Sequence, residues 1–150
     1  MNTINKPAEN MGGLVKIWAV PYNVYSLNGK TVTFSSTDNI CEIYCSPDSR
    51  QHTEPPERTD AGIIFNTQVT GFVPGNTQSI RQALENLENR KVVAIFRDGN
   101  GDFWMAGSYL SPLIFSADFS TGKNTSDRSG HEISLSGQTL EKAKCIDNPF

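Results

Sequence analysis

The chain has 150 residues, of which 37% are hydrophobic, enough for one domain with a single core but too few for two. The formal net charge is -3 and the 13 basic residues are scattered, which argues against direct binding of duplex nucleic acid. No apolar run reaches the roughly 20 residues that cross a bilayer, and polar residues 1–13 lack the apolar core of a signal peptide. We therefore expect no membrane partner and a cytosol-like compartment.

The first part of the chain contains a polar arm followed by short strand signals. Residues 1–13 are predicted to form an N-terminal arm, and residues 14–150 a single β-sandwich domain. Asn28 and Gly29 indicate a two-residue turn, because both tolerate positive φ. Around this turn the sequence is β-prone or alternates in polarity, which predicts strands or short extended pieces over residues 14–20, 22–27, 30–35 and 40–45.

Residues 46–61 are polar, rich in proline and without periodicity. Loops of this length inside a compact domain are uncommon and are usually functional or disordered. Two interpretations stay open: a surface loop, or an arm that reaches a neighbouring subunit. Residues 121–130 are predicted to form a second long polar loop.

One segment has helical periodicity. It follows a predicted strand at residues 62–72 and a turn at Pro74-Gly75. Its apolar residues recur at i, i+4 and i+7, as Ile80, Leu84 and Leu87. This pattern predicts one amphipathic helix over about residues 77–90, capped by Asn76 or Thr77.

The rest of the chain is again rich in strand signals. The run at residues 92–97 is the most β-prone, and the turn after Asp98 leads into a return strand at 102–108, which predicts a hairpin. Alternation in the return strand places Phe103, Met105 and Gly107 on the face opposite Trp104 and Ala106. Further strands are predicted over residues 113–120, 131–136 and 141–146. Together these signals predict a mostly β fold, a β-sandwich or barrel of short antiparallel strands with one flanking helix.

Residues 98–102 begin like a calcium-binding loop, with oxygen-bearing side chains at its first, third and fifth positions. The likeness ends at Phe103, where the loop needs glycine, and at Tyr109, where it needs a bidentate glutamate. We therefore interpret the segment as an ordinary hairpin turn.

The two histidines and three cysteines lack the spacing of a zinc site. His52 and His131 are predicted to be exposed, and their convergence through folding stays open. Cys41 and Cys45 lie about 13 Å apart along a predicted strand, too far for a disulfide, so we expect reduced thiols.

Catalytic signatures are also missing from the sequence. It contains no Gly-x-Ser-x-Gly elbow, no Walker phosphate loop and no dinucleotide fingerprint. We therefore predict that the protein is not an enzyme and uses no cofactor or metal. Most aromatic residues occupy strand positions that predict core packing, whereas Trp18 and Trp104 are predicted to lie on outer faces as subunit anchors.

Two stretches carry a resemblance to a known class of proteins. The first is residues 87–107, with Val92-Val93-Ala94-Ile95-Phe96-Arg97-Asp98 followed by Phe103-Trp104-Met105-Ala106-Gly107. The second is residues 119–146, with Phe119-Ser120-Thr121-Gly122, Ser126-Asp127-Arg128-Ser129-Gly130-His131-Glu132-Ile133-Ser134-Leu135-Ser136-Gly137 and Ala143-Lys144-Cys145-Ile146. The pattern, which covers residues 80–146, resembles small virion proteins of tailed bacteriophages that infect Bacteroides-like hosts (crAss-like phages), of the tail-tube and neck-ring type.

The resemblance implies a tail-tube-like structural subunit, assembled in the cytoplasm of the bacterial host and located in the virion. Its partners would be copies of itself in a ring, other tail or neck proteins, and DNA as non-specific cargo in the lumen. The net acidic chain suits such a channel, because it repels DNA mildly. The predicted subunit-interface residues are Trp18, Pro47, His52, Pro55, Pro56, Arg58, Trp104, Lys123, Asp127 and Arg128.

Two other functions stay open. A monomeric β-sandwich that binds a ligand or glycan would show a concave pocket lined by exposed Trp or Tyr. A small hydrolase would bring His and acidic residues together with perturbed pKa values. The virion subunit ranks first and the hydrolase last, because every catalytic motif fails.

Overall fold

The computed structural model describes residues 1–7 and 10–150, and this part of the chain contains twelve strands and one helix. The predicted mostly β fold with a single helix is confirmed. The strands are β1 Leu14–Pro21, β2 Tyr25–Asn28, β3 Thr31–Phe34, β4 Cys41–Ile43, β5 Gln51–Thr53, β6 Pro56–Thr59, β7 Gly62–Pro74, β8 Lys91–Asp98, β9 Phe103–Ala106, β10 Leu113–Ser120, β11 Gly130–Thr139 and β12 Lys144–Ile146, and the helix is α1 Gln78–Leu87.

Ten strands form one antiparallel sheet that folds over into two layers. The first layer has the order β4-β1-β8-β9-β12. In the second layer β10, β11 and β7 follow one another, and both β5 and β6 pair with the far edge of β7. The layers connect where Leu113 of β10 pairs with Val92 of β8, and again where Ser46 N donates to Phe72 O at 2.8 Å. The result is a β-sandwich-like fold.

The main core lies between the two layers. Phe115, Leu113 and Leu135 from the second layer are fully buried against β1 and β8 of the first. Cys45 also lies in this core, and burial raises the pKa of its thiol to about 11. All three cysteines are free, and Cys45 is therefore a protonated, unreactive thiol at neutral pH.

A second, smaller core lies on the other face of the first layer. The hairpin of β2 and β3 covers Val93 and Ile95 there, and Ile146 of β12 lies in the same core. Strand β8 is therefore buried on both faces, which explains why residues 92–96 are continuously apolar. The faces of β9 follow the prediction, because Phe103 and Met105 pack in this second core and Trp104 and Ala106 against the main core.

The helix is shorter than predicted. Thr77 is its N-cap, and its hydroxyl accepts the Ile80 N–H at 3.3 Å. The prediction that it continues to residue 90 is wrong, because Glu88 is extended and Asn89 has a φ of 59°. The chain must leave the helix there to enter β8, and Asn89 N already donates to Phe115 O at 3.0 Å.

Residues 46–61 are not a loop throughout. They contain β5 and β6, which pair with residues 68–70 and 62–65 of β7. The open edge of the 13-residue strand β7 explains this pairing, because local polarity and prolines do not reveal a partner that comes later in the chain. The second predicted loop is confirmed over residues 121–129, and β11 begins at Gly130.

The predicted turn between β8 and β9 is confirmed, and its acidic residue holds it together. Asp98 Oδ1 accepts the backbone N–H groups of Asn100 and Asp102 at 2.9 and 3.0 Å, and its Oδ2 accepts Trp104 Nε1–H at 3.0 Å. The Asp98 carboxylate therefore accepts hydrogen bonds from within its own hairpin, which agrees with the interpretation of this segment as a hairpin turn.

Candidate functional site

The two tryptophans do not lie on outer faces, so that prediction is wrong. Trp18 is buried in the second core, where its ring stacks on Phe103 and Phe150 with centroid distances of 5.9 and 4.6 Å. Trp104 is half-buried against the main core. A core packs on each side of the first layer, so Trp18 lies in one core and Trp104 packs against the other.

Most of the other predicted interface residues remain on the surface. The exposed ones are Pro47, Pro55, Pro56, Arg58, Lys123, Asp127 and Arg128. Asp127 stabilises the loop after β10, because its Oδ2 accepts the N–H groups of Lys123 and Asn124 at 2.9 Å each. These two hydrogen bonds lower the pKa of Asp127. Arg128 extends over the ring of Phe72 at 4.3 Å.

Neither histidine is fully exposed, which corrects the prediction for both. His131 is buried, and its Nε2 lies 3.3 Å from Asn76 Oδ1. Burial, and then the charge of Arg81, lowers its pKa. His52 is half-buried with its ring 4.7 Å from Phe96, and burial lowers its pKa against the opposing effect of Glu54.

These two lowered pKa values predict that the protein becomes less stable as the solution is acidified. In the unfolded chain each imidazole takes up its proton near the ordinary histidine pKa of about 6.5, whereas in the folded chain it does so only at lower pH. Below about pH 6.5 the unfolded state therefore binds more protons, and the free energy of unfolding falls as pH falls through the folded pKa values.

Urea denaturation between about pH 7.5 and about pH 5, a range above most carboxylate titration, measures this dependence. The double variant His52→Gln, His131→Gln should show a flatter dependence than the wild type. A wild-type free energy of unfolding that stays constant or rises on acidification would contradict the lowered pKa values of His52 and His131.

The first candidate surface is the outer face of the second layer, which we call the polar face. Its outward positions on β7, β10 and β11 are mostly hydroxyl, amide and carboxylate side chains. Register places Ser116, Ser134 and Thr70 in one row and Asp118 beside Glu132 in the next. The residues that form the face are Asn66, Gln68, Thr70, Phe72, Ile114, Ser116, Asp118, Ser120, Glu132, Ser134, Ser136 and Gln138.

A shallow depression of about 530 Å³ crosses this face. Asp118 and Glu132 line it, and of the described residues around it Arg128 alone is basic. Arg128 lies 4.0 Å from Glu132 Oε1, so part of its charge is balanced within the face. The polar face is thus weakly acidic and presents many small polar groups.

The second candidate surface is a cleft of about 430 Å³ between the start of β1 and strand β5, which we call the acidic cleft. It unites two predicted interface residues, His52 and Trp104, with Glu54 and Asp98. The described residues hold no group of three or more His, Cys, Asp or Glu side chains that could bind a metal ion.

A third cleft, of about 350 Å³, lies between the loops after β9 and β11. Tyr25 and Tyr109 line it, and Tyr109 is 61% exposed. The backbone N–H of Tyr109 donates to the Tyr25 hydroxyl at 2.9 Å, and the Tyr109 ring stacks on Tyr22 with a centroid distance of 5.4 Å. Leu110 and Leu140, both strongly exposed, complete an apolar rim.

The polar face was not identified from the sequence, although its signal is present. Buried and exposed positions alternate along much of β7, β10 and β11, but alternation within one strand does not show which outward positions lie side by side. Only the register between strands shows that these serine, threonine and glutamine side chains form one continuous surface.

Comparison with known proteins assigns no family to this chain. No protein-family model, no curated protein and no solved structure matches it. The helix found in the described residues is too short and too polar to span a membrane.

Proposed function

We propose that the chain is a structural subunit of a tailed-phage virion, which forms a ring in the tail tube or neck through which DNA passes. It acts by assembly and not by catalysis, without a cofactor. Its partners are copies of itself and adjoining tail or neck proteins. The observation that carries this proposal is the polar face, which runs across β10, β11 and β7 of the second layer.

The chemistry of the polar face suits the wall of a DNA channel. Phosphate groups bind tightly where lysine and arginine cluster, and such binding would hold DNA in place. On the polar face, most outward positions of β7, β10 and β11 carry hydroxyl or amide groups, and Asp118 and Glu132 add negative charge. A surface of this kind repels the DNA backbone weakly, so DNA can move past it.

The edges of the second layer suit assembly into a ring. Strands β5 and β6 are paired in the described chain with β7 alone, so their outer edge is open. At the other side of the layer, residues 116–120 of β10 have β11 as their only strand partner in the described chain. Helix α1 contacts β10 beside this edge, with Arg81 over the Phe119 ring, so the edge lacks a strand partner but is partly covered. Two different edges without a strand partner on one sheet allow head-to-tail contacts, which close into a ring when the rotation permits.

The test is the native mass of the purified protein, measured by light scattering over a concentration series and followed by electron microscopy. We expect a discrete ring many times heavier than the 16.5 kDa chain. A monomer at every concentration would contradict self-assembly.

Ala117→Pro tests the role of the β10 edge. Phe115 N donates to Arg90 O and thus points away from β11, so by alternation the Ala117 N–H points to the same side, where no strand pairs with it. Proline there removes that donor and places its ring in the way of a neighbour. We expect a folded monomer by circular dichroism, whereas Ser126→Pro in the exposed loop should leave the ring intact.

A second candidate function has support from the third cleft. The exposed Tyr109, whose ring stacks on Tyr22, and the half-buried Tyr25 provide the aromatic wall expected of a monomeric glycan- or ligand-binding module. A glycan screen distinguishes the two functions. Monomeric protein that binds a glycan, and loses that binding in Tyr109→Ala, would favour this candidate over the ring subunit.

A further inference from the structure

Two turns of the chain place a glycine directly after an asparagine, as Asn28-Gly29 and as Asn100-Gly101. At such a pair the backbone nitrogen of the glycine can attack the side-chain carbonyl carbon of the asparagine, because glycine has no Cβ to hinder the approach. The sequence alone makes the two asparagines equally prone to lose ammonia by this reaction. The hydrogen bonds around the two pairs distinguish them.

The pair in the β8–β9 turn is held at both reacting groups. Asn100 Oδ1 accepts the Met11 N–H at 2.9 Å, which fixes the side-chain amide. The Gly101 N–H donates to Asp98 O at 3.1 Å, which fixes the attacking nitrogen. The two groups therefore cannot rotate towards each other until both hydrogen bonds are lost.

The pair in the β2–β3 turn is free at both groups. Asn28 and Gly29 are exposed, and in the described chain neither the Asn28 side chain nor the Gly29 N–H has a hydrogen-bond partner. Gly29 has a φ of 63°, as glycine has at the first central position of a type II′ turn. Asp147 N donates to Lys30 O at 2.9 Å, which ties down the other central residue of the turn and leaves this pair free.

The backbone around Asn28 also opens more easily than that around Asn100. Asn28 pairs with Thr31 as the last pair of a sheet that, in the described chain, contains β2 and β3 alone. The turn after Asp98 instead closes a hairpin of the ten-stranded sheet, in which β8 also pairs with β1. The end of a two-stranded sheet opens at low cost in free energy, so Asn28 can rotate towards the Gly29 nitrogen.

We propose that Asn28 is a modification site, where the folded protein loses ammonia spontaneously while Asn100 is protected. The Gly29 nitrogen gives its proton to the solvent and bonds to Asn28 Cγ, the bond from Cγ to Nδ2 breaks, and ammonia leaves. Water then opens the cyclic succinimide at either carbonyl, which gives aspartate or isoaspartate. The net reaction converts an amide and water into a carboxylic acid and ammonia.

Either product changes the hairpin that covers the second core. Both add a negative charge beside Lys30, and isoaspartate also lengthens the main chain by a methylene group. The longer chain disturbs the pairing of β2 with β3, where the next pair, Leu27 and Val32, packs in the second core. We therefore expect modified protein to have a lower thermal midpoint. This inference does not depend on the ring function proposed above.

Peptide mapping of the folded protein during incubation at mildly alkaline pH tests the proposal. Mass spectrometry of timed samples gives the rate of ammonia loss at each asparagine, and chromatography separates the aspartate and isoaspartate forms. We expect the rate at Asn28 to exceed the rate at Asn100 by at least about tenfold in the folded protein. In protein unfolded by urea the two rates should become similar, because glycine follows both asparagines and no structure protects either.

Asn28→Gln is the matched control, because glutamine keeps the amide but its longer side chain forms the cyclic intermediate far more slowly. This variant should keep its thermal midpoint during an incubation in which the midpoint of the wild type falls. No measurable loss of ammonia at Asn28 in the folded protein, or the same ratio of the two rates in folded and unfolded protein, would overturn the proposal.

Discussion

Replacing Phe115 by alanine is expected to lower the free energy of unfolding by about 3–5 kcal/mol. Phe115 is fully buried between the two layers, on the strand that links them, and its register partner on β11 is the equally buried Leu135. Removal of the ring loses its transfer free energy and leaves a cavity, because residues from two opposed layers cannot both move into the space.

Urea denaturation measures this effect. The free energy of unfolding should depend on urea concentration with the same slope in the variant and the wild type, which shows that the unfolded state is the same. Tyr44→Ala is the matched control, because this ring is 67% exposed and its removal should change stability by no more than about 0.5 kcal/mol. A loss below about 1 kcal/mol for Phe115→Ala would show that the space between the layers is not closely packed.

The second large effect concerns DNA and the polar face. The double variant Asp118→Lys, Glu132→Lys replaces two negative charges of the depression by positive ones. We expect assembled wild-type rings to bind linear duplex DNA weakly and the variant to bind it at least about tenfold more tightly, with an affinity that falls steeply as salt rises. Filter binding over a salt series measures both properties.

Two controls make this experiment specific for a channel. Glu85→Lys, Glu88→Lys makes the same change of charge on exposed positions in and just after α1, outside the polar face. Preassembled variant rings should also bind linear duplex but not a covalently closed circle of the same sequence, because a circle has no end to enter the lumen. If both double variants bound linear DNA equally tightly, or if the Asp118→Lys, Glu132→Lys rings bound circular and linear DNA equally, the polar face would not line a channel.

The sequence predicted those elements whose signals are local. The alternation at Phe103 and Met105 opposite Trp104 and Ala106 assigned both faces of β9 correctly. The turn after Asp98 and the cap at Thr77 were also predictable, since each depends on side chains within a few residues.

What could not be predicted depends on partners far apart in sequence. Residues 51–53 become a strand only because β7 offers them an edge. Trp18 is covered by Phe150 at the other end of the sequence, and no periodicity in β1 reveals that second core. The acidic cleft likewise joins His52 and Glu54 to Phe96, Asp98 and Trp104 of the β8–β9 hairpin, which lie more than forty residues later.

The most direct test of the central claim is electron cryomicroscopy of the assembled protein, at a resolution that places the strands. The account predicts a closed ring whose channel is lined by the polar face, with Ser116, Ser134 and Thr70 turned towards the lumen. A ring with this face turned outward, or a protein that stays monomeric under every assembly condition, would contradict it.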